Sequence, residues 1–222
     1  MTMLLPALLA VFLGASAQAK TVRFSGIDWE VKNGPGMGPG PNRWSDDSKS
    51  VWVDAQGRLH LKLRSRGGVW TCAEVFTKGP TKYGMHRFRV IARPKDWDPG
   101  VVFGAFLYQS DTEELDIELA RWGDAGDLND AQFAVQPYDK PGHTRRFPLE
   151  PSGQSTLEID WREDGVAFRA DGVSWNREGA VPGLTVPRVH LNLWLFKGKP
   201  PQDGREAEII VSSVEIPERP IP

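Results

Sequence analysis

The sequence predicts an all-β protein, built as a two-sheet antiparallel β-sandwich. Short segments of β character recur about every 8–15 residues, and turn residues separate them. Beyond the first 19 residues, no stretch with helical periodicity exceeds a few turns. Regularly spaced short strands without helices are typical of sandwiches.

We predict the individual strands from the alternation of apolar and polar residues and from turn-forming residues between them. Leu alternates with His, Lys and Arg in residues 59–64, as expected for a half-buried strand. Residues 54–57 and the pair Asp171-Gly172 have hairpin-turn composition. By contrast, residues 21–44 read as irregular, with a long Gly/Pro-dense loop at 34–41. The predicted strands are residues 50–53, 59–65, 69–76, 85–91, 101–108, 114–122, 131–137, 155–162, 165–170, 190–195 and 207–215.

The composition limits the classes of function that the protein can have. A net charge of −2 and a pI near 6.1 give no electrostatic argument for binding nucleic acid or an anionic membrane. Residues 20–222 are long enough to bury a core as one domain. Cys72 is the only cysteine, so no intramolecular disulfide can form. We interpret it as a small buried hydrophobe, the alternative being a nucleophile.

Residues 1–19 resemble a secretory signal peptide. Residues 4–15 are mostly apolar but too few to span a bilayer, and residues 17–19 form an A-x-A-like cleavage site. The segment contains no Lys or Arg, which is atypical, and an uncleaved anchor is the alternative. We expect a secreted or periplasmic protein with no membrane association after cleavage.

The most informative stretch is a row of alternating acids. Glu114, Asp116 and Glu118 alternate with aliphatic residues, so on a strand they share one face while the aliphatic residues face a core. Like charges at adjacent same-face positions repel each other. Such a row therefore indicates either chemistry, a solvated acidic face or a cation site.

Glycoside hydrolysis is chemistry that such a row could perform. Retaining glycosidases hold two carboxyl groups about 5–5.5 Å apart, and inverting enzymes about 6.5–9.5 Å apart. Strand geometry places the Cα atoms of Glu114 and Glu118 about 13 Å apart. Two long side chains that lean toward each other could close this gap over the shorter Asp116.

The motif Glu114-Leu115-Asp116-Ile117-Glu118 resembles the E-x-D-x-E signature of glycoside hydrolase family 16, the bacterial lichenases and laminarinases. Other segments resemble the family's strands and occur in the family's order between about residues 42 and 214. These segments are Cys72-Ala73-Glu74, Tyr83-Gly84, Phe88-Arg89-Val90, Gly104 to Tyr108, Leu157 to Trp161 and Asn192-Leu193-Trp194. The resemblance implies a concanavalin A-like jelly roll with a concave substrate cleft.

The resemblance also implies roles for the acids. Glu114 would be the nucleophile and Glu118 the general acid/base, with Asp116 holding the charge state of the nucleophile. The implied activity is that of a secreted retaining endo-β-glycosidase, most directly one acting on β-1,3 or β-1,3-1,4 glucan. A transglycosylase that uses the same acids, or a non-catalytic carbohydrate-binding protein, are the alternatives.

The sugar-binding residues are inferred from matched positions and from aromatic character. Trp122 follows Glu118 by four residues, and Gln136 replaces a family Tyr on the next strand. Phe76 stands where lichenases carry an Arg, and Ala134 replaces an Asn, so the polysaccharide is not fixed. For Asn42, a turn beside a core Trp44 is the alternative. The expected substrate-binding residues are Asn42, Glu74, Phe106, Tyr108, Trp122, Gln136, Asn192 and Trp194.

We expect neither a metal nor a cofactor. The four histidines lack metal-ligand spacing, and the acids at 124–130 lack the Gly and terminal Glu of a calcium loop. Some family members bind calcium near the last strand, but the matching place near Ser212 has no Asp. The expected partner is a polysaccharide, with no nucleic acid, and the expected state is a monomer.

Overall fold

The computed structural model describes residues 19–149, 153–179 and 183–217, which form nineteen β-strands and two short 3-10 helices. All pairings between these strands are antiparallel, which confirms the predicted fold class. In these ranges, no helix has the length and apolar character needed to cross a membrane. The predicted signal peptide lies almost wholly outside them and stays a prediction.

The strands are short, three to ten residues each. The first nine are β1 (Thr21–Phe24), β2 (Ile27–Val31), β3 (Gly34–Met37), β4 (Asn42–Trp44), β5 (Val51–Val53), β6 (Leu59–Lys62), β7 (Arg64–Arg66), β8 (Val69–Thr71) and β9 (Ala73–Thr77). The others are β10 (Gly84–Ile91), β11 (Val101–Ser110), β12 (Glu113–Ala120), β13 (Ala131–Val135), β14 (Thr144–Phe147), β15 (Gln154–Arg162), β16 (Gly165–Ala170), β17 (Val173–Glu178), β18 (Arg188–Leu195) and β19 (Glu208–Glu215). The 3-10 helices are Pro94–Asp96 and Phe196–Gly198.

Two sheets enclose one hydrophobic core. The eight-stranded sheet has the order β1-β2-β9-β18-β11-β12-β13-β14, and the seven-stranded sheet has the order β17-β16-β15-β10-β19-β6-β5. Buried side chains of both sheets join one cluster, with Trp29 and Phe103 from the first and Phe88 and Phe168 from the second. The hairpins β3-β4 and β7-β8 lie outside the two sheets.

The prediction of irregular structure for residues 21–44 was wrong. This stretch contains β1 and β2, which continue the eight-stranded sheet from β9, and the β3-β4 hairpin within the expected loop. Trp29 is fully buried and anchors β2. Its strand does alternate apolar and polar residues from Ile27 to Val31, but it is only five residues long and follows a turn at Ser25 and Gly26. The strands β14 and β17, at other edges of the sheets, contain few buried residues and were also missed.

Two predicted strands are interrupted. The segment predicted at 59–65 divides into β6 and β7 at Leu63, and the segment at 69–76 divides into β8 and β9 at Cys72. The β7-β8 hairpin leaves the sheets between these two buried residues. Cys72 is buried, which confirms its interpretation as a small buried hydrophobe, and burial raises the pKa of its thiol to about 12.

The strand that carries the acids is central to the fold. β12 pairs with β11 on one side and β13 on the other. Its inward side chains Leu115, Ile117 and Leu119 are fully buried, as the alternation predicted. The core therefore fixes which face of β12 the acids occupy, since a one-residue slip in register would bury them instead.

Replacing Ile117 should test this anchoring. We expect Ile117→Ala to lower the free energy of unfolding by about 2–5 kcal/mol, because it removes buried methyl groups and leaves a cavity. Ile117→Val, the matched control, should cost only about 0.5–1.5 kcal/mol. Chemical denaturation followed by tryptophan fluorescence measures both. A cost for Ile117→Ala no larger than that for Ile117→Val would contradict this account of the core.

Candidate active site

β12 holds three carboxyl groups on the face of the eight-stranded sheet that is turned away from the core, here called the site face. Glu114, Asp116 and Glu118 occupy alternate positions opposite the fully buried aliphatic residues. Asp116 is only 4% exposed, and the two glutamates are partly exposed. The structure therefore places the predicted row of acids on one face.

Strand register aligns two sets of residues across the site face. Glu118 lies opposite Gly104 on β11 and Gln132 on β13. Gly104 lies opposite Asn192 on β18, and Asn192 lies opposite Glu74 on β9. We call this set the Glu118 row. It brings together three predicted site residues that are far apart in sequence.

A second row, here called the Asp116 row, crosses the same strands. Asp116 lies opposite Phe106 on β11 and Ala134 on β13. Phe106 lies opposite His190, and His190 lies opposite Phe76. This row is aromatic beside the acid, which gives the site face an apolar surface next to its charged strand.

Glu114 begins a third, shorter row. Tyr108 lies opposite Glu114 on one side and Arg188 on the other. The Tyr108 hydroxyl donates to Asp111 Oδ1 at 2.9 Å. The pKa of Tyr108 is raised to about 12, first by burial and then by the contact with Asp111. Tyr108 therefore keeps its proton and can act as a hydrogen-bond donor.

Amide side chains on β13 and just after it bind two of the acids. Gln132 Nε2 donates to Glu118 Oε2 at 3.1 Å. Gln136 Nε2 lies 3.5 Å from Asp116 Oδ2, and its Oε1 accepts from the Tyr138 amide at 3.0 Å. Glu114 and Asp116 also share a hydrogen bond. No described Lys or Arg forms an ion pair with the three acids.

The environment raises the pKa of all three acids. For Glu114 burial is the largest cause and raises the pKa to about 8, while the hydrogen bond from Asp116 opposes the increase. For Asp116 burial and then the charge of Glu114 raise the pKa well above its usual value. For Glu118, burial and then the charge of Asp116 raise the pKa well above its usual value. The row therefore retains protons at a higher pH than free carboxyl groups do, as a general acid requires, while the hydrogen bond from Asp116 favours the carboxylate at Glu114.

Glu74 is buried and already paired. Its Oε2 lies 2.9 Å from Lys32 Nζ, and its Oε1 lies 3.0 Å from His190 Nδ1. Lys32 also donates to the Gly38 carbonyl at 2.6 Å and lies over the Trp44 ring. The predicted sugar contact of Glu74 stays a prediction, and these contacts show that it also orients His190.

The two predicted cleft tryptophans pack against each other. The rings of Trp122 and Trp194 meet edge to face at 6.1 Å, and Phe196 meets Trp122 at 5.4 Å. Trp194 is buried, whereas Trp122 is half-buried in a left-handed backbone conformation with φ 53°. Trp122 Nε1 is buried without a hydrogen-bond partner in the described structure. Trp122 thus presents the more accessible aromatic surface beyond Glu118.

Asn42 is buried, and its amide is hydrogen-bonded within the protein. It is 3% exposed, and its Nδ2 donates to the carbonyls of Pro39 at 2.7 Å and Leu195 at 3.0 Å. Its Oδ1 accepts from Cys72 Sγ at 3.3 Å. These bonds tie the β3-β4 hairpin to the end of β18. They give Asn42 a structural role, and its predicted sugar contact stays a prediction.

Asn192, in contrast, retains a free acceptor. Its Oδ1 is buried and has no hydrogen-bond partner among the described residues. A Cβ atom at Gly104 would lie 2.7 Å from this oxygen, so glycine leaves the space above β11 open. A buried acceptor without a partner is costly, and a ligand hydroxyl could satisfy it.

Sequence reasoning missed several residues of the site face. Gln132 precedes Ala134 and Gln136 in steps of two, and His190 precedes Asn192 in the same way. Period-two alternation on those predicted strands could have identified both. Lys32 gave no comparable signal, because it lies outside any strand and reaches Glu74 across 42 positions of sequence.

The acids at 124–130 are engaged with the protein. Asp127 forms an ion pair with Arg146, and Asp130 Oδ1 accepts from the Leu149 amide at 2.7 Å. Asp124 Oδ1 accepts from the Gly126 amide at 2.8 Å. Within the described ranges, no group of three or more His, Cys, Asp or Glu side chains is arranged to hold a metal ion.

Solved structures of β-glucanases share this architecture. A Bacillus licheniformis β-glucanase superposes with a TM-score of 0.70 at 19% identity, covering 92% of this chain and all of the other. A Mycobacterium marinum β-1,3-glucanase gives 0.64 at 21%, covering 85% and 90%. A glycoside hydrolase family 16 endo-glucanase from Bacteroides ovatus gives 0.66 at 16%, covering 85% and 94%.

Neither a protein-family model nor a curated protein sequence matches this chain. At 16–21% identity, the likeness to the solved structures concerns the fold. It extends over at least 85% of the chain and at least 90% of each glucanase. The chain therefore has the β-sandwich fold of these glucanases.

The raised pKa of Glu118 leads to a stability prediction. A carboxyl group whose pKa is raised on folding contributes stability below its unfolded pKa, about 4.5, and loses that contribution as pH rises through the folded pKa. Glu118→Gln removes the ionisation. We therefore expect it to raise the Tm at pH 8 by a few degrees more than at pH 4.5, at about 2–4 °C per kcal/mol.

Thermal unfolding at both pH values measures this effect. Glu113→Gln is the matched control, because Glu113 lies at the start of the same strand and accepts hydrogen bonds from Gln109 and Ser110 outside the row. A Tm difference for Glu118→Gln that is the same at both pH values would contradict the electrostatic account.

Proposed function

We propose that the protein is a glycoside hydrolase of family 16 that cleaves an internal β-glycosidic bond of a polysaccharide with retention of configuration. The observation that carries the proposal is the row of Glu114, Asp116 and Glu118 on the site face of a glucanase fold. Its neighbours across the strands are aromatic and amide side chains that can contact sugar rings and hydroxyls.

The mechanism takes two steps. In the first, the Glu114 carboxylate attacks the anomeric carbon while the carboxylic acid of Glu118 gives its proton to the departing glycosidic oxygen. A covalent glycosyl ester forms, and one part of the chain leaves as an alcohol. In the second, Glu118 takes a proton from water, the water oxygen attacks the anomeric carbon, and the Glu114 carboxylate is released.

The surroundings support this division of roles. Glu114 accepts a hydrogen bond from Asp116, which stabilises the carboxylate that attacks. Among the described residues, Glu118 has no such acidic donor. It accepts one bond from Gln132, which leaves its other oxygen available for proton transfer. Burial and the nearby charge favour its protonated form.

The substrate we favour is a β-1,3 or β-1,3-1,4 glucan. The similar structures include a β-1,3-glucanase and an endo-glucanase solved with a glucan oligosaccharide derivative. On the site face, Phe106, Tyr108 and the aromatic residues around Trp122 supply apolar surfaces for sugar rings. Phe76, Ala134 and Gln136 are the positions where the contacts would differ from those of lichenases.

Two alternatives use the same site. A transglycosylase would form the same glycosyl ester and transfer it to a sugar hydroxyl instead of water. A non-catalytic binding protein would need no buried row of acids, and keeping one costs stability because like charges repel. No described residue forms an ion pair with the acids, so their repulsion is not offset by a cation. A row kept at this cost favours catalysis over binding alone.

We also propose that residues 1–19 direct secretion and that the mature protein acts as a monomer.

Hydrolysis by residues 20–222 tests the proposal. Reducing-sugar release should occur with lichenan or laminarin, and curdlan, agarose, xyloglucan and chitin complete the panel. Glu114→Gln should lower kcat by about a thousandfold or more, because it removes the nucleophile. Circular dichroism should show that this variant remains folded.

Retained turnover in Glu114→Gln would overturn the assignment of the nucleophile. Binding without release from any polymer would favour the non-catalytic alternative. Lengthening of an added labelled oligosaccharide acceptor, without release of reducing sugar, would favour transglycosylation. Proton NMR of the first product formed would report the anomeric configuration, and an inverted product would exclude the glycosyl ester.

The pH profile tests the coupling between Asp116 and Glu118. Once Asp116 has ionised, its charge raises the pKa of Glu118, so Asp116→Asn should let Glu118 lose its proton at lower pH. We expect the basic limb of the kcat/KM profile to move toward lower pH by about half a unit to one unit. Glu113→Gln should leave the limb in place. A basic limb that stays fixed or moves upward in Asp116→Asn would contradict the coupling.

A further inference from the structure

One histidine on the site face is not used by the proposed mechanism. His190 stacks between Phe76, at 5.1 Å between ring centroids, and Phe106, at 5.0 Å. The interplanar angles of 17° and 28° mean that the two rings cover both faces of the imidazole. Tyr108 lies nearby at 5.4 Å in an edge contact. The ring orientation of His190 is therefore fixed by its neighbours.

Glu74 determines which ring nitrogen carries the proton. His190 Nδ1 lies 3.0 Å from Glu74 Oε1, and the other oxygen of Glu74 is paired with Lys32 at 2.9 Å. An ionised carboxylate can only accept hydrogen bonds, so Nδ1 must be the donor. In a neutral imidazole, Nε2 is then an acceptor with a free lone pair.

The charges around the ring support the neutral form. Burial is the largest influence and lowers the pKa of His190, and the nearby cations Lys32 and Arg188 act in the same direction. Glu74 opposes them by favouring the imidazolium. The other residues that contact the ring, Phe76, Phe106 and Tyr108, carry no charge at neutral pH.

The acceptor atom has no hydrogen-bond partner in the part of the chain that the structure describes. Among the described residues, Nε2 of His190 makes no hydrogen bond, while the side chain keeps 11% of its surface exposed. The two faces and the Nδ1 edge are covered, so the exposed part lies on the edge that carries Nε2. In the Asp116 row, His190 stands two strands from Asp116, which corresponds to about 9.5 Å between backbones.

We propose that Nε2 of His190 accepts a hydrogen bond from a hydroxyl group of the sugar unit bound beside the row of acids. Phe76, Phe106 and Glu74 hold the imidazole in place for this contact. The proposal rests on the proposed function and adds a specificity-determining residue to it. A sugar that lacks this hydroxyl, or that directs it to the other side of the ring, would leave the acceptor unpaired and bind more weakly.

Two substitutions separate the roles of the ring nitrogens. The amide of His190→Asn can reach Glu74 in place of Nδ1, but it leaves no acceptor near Nε2. The longer amide of His190→Gln brings an oxygen close to the position of Nε2. With the glucan that the wild type hydrolyses, we expect His190→Asn to raise KM roughly tenfold with kcat little changed. His190→Gln should stay within about threefold of the wild type.

A spectroscopic readout does not depend on substitutions at His190. In the Glu114→Gln variant, nitrogen-15 NMR of the histidine side chains reports which ring nitrogen is protonated. Titration with laminaritetraose and with a β-1,3-1,4-glucan tetrasaccharide should shift the unprotonated Nε2 signal of His190 as it accepts a hydrogen bond. His60 and His86 serve as internal references, since both are paired within the protein.

The outcomes are distinguishable. If the wild type hydrolyses a glucan while His190→Asn keeps the wild-type KM, this inference is wrong and the proposed function stands. Equal losses in both His190 variants, with no shift of the Nε2 signal, would show a purely structural role and would overturn it. A proton found on Nε2 would also overturn it. If the protein neither hydrolyses nor binds any glucan, the proposed function and this inference both fail.

Discussion

The structure depends on one constraint: a strand with a fully buried aliphatic face must present three carboxyl groups on its other face. Burial of Leu115, Ile117 and Leu119 fixes the register of β12, and this register leaves the acids no other position. Their mutual repulsion and desolvation oppose folding. The protein reduces that cost by retaining protons on the row and by hydrogen bonds from Gln132 and Gln136.

The rest of the site face follows from the same register. Antiparallel pairing aligns Glu118 with Asn192 and Glu74, and aligns Asp116 with Phe106 and His190. Residues from five strands therefore meet in rows without any loop having to position them. Side chains on a packed sheet keep a more fixed geometry than side chains on loops, which suits a site whose acids must meet a substrate at defined distances.

The sequence was most informative where alternation was strong and burial decided the outcome. The all-β class, most of the central strands and the common face of the acids could be predicted from such patterns. The edge strands β1, β14 and β17 could not, because edge positions tolerate polar side chains. Nor could Lys32 or the bonds of Asn42 be foreseen, since both depend on contacts between segments distant in sequence. Local patterns carry no information about such pairings.

The single cysteine has a practical consequence. Cys72 is 1% exposed between β8 and β9, and its raised pKa leaves little thiolate at neutral pH. It will therefore neither react with oxidants nor cross-link two chains while the sandwich is intact. Because the thiol becomes accessible only when the strands around it separate, its rate of modification by a thiol reagent reports how often the core opens. The molecule thus carries a built-in probe of its own unfolding, with no engineered label.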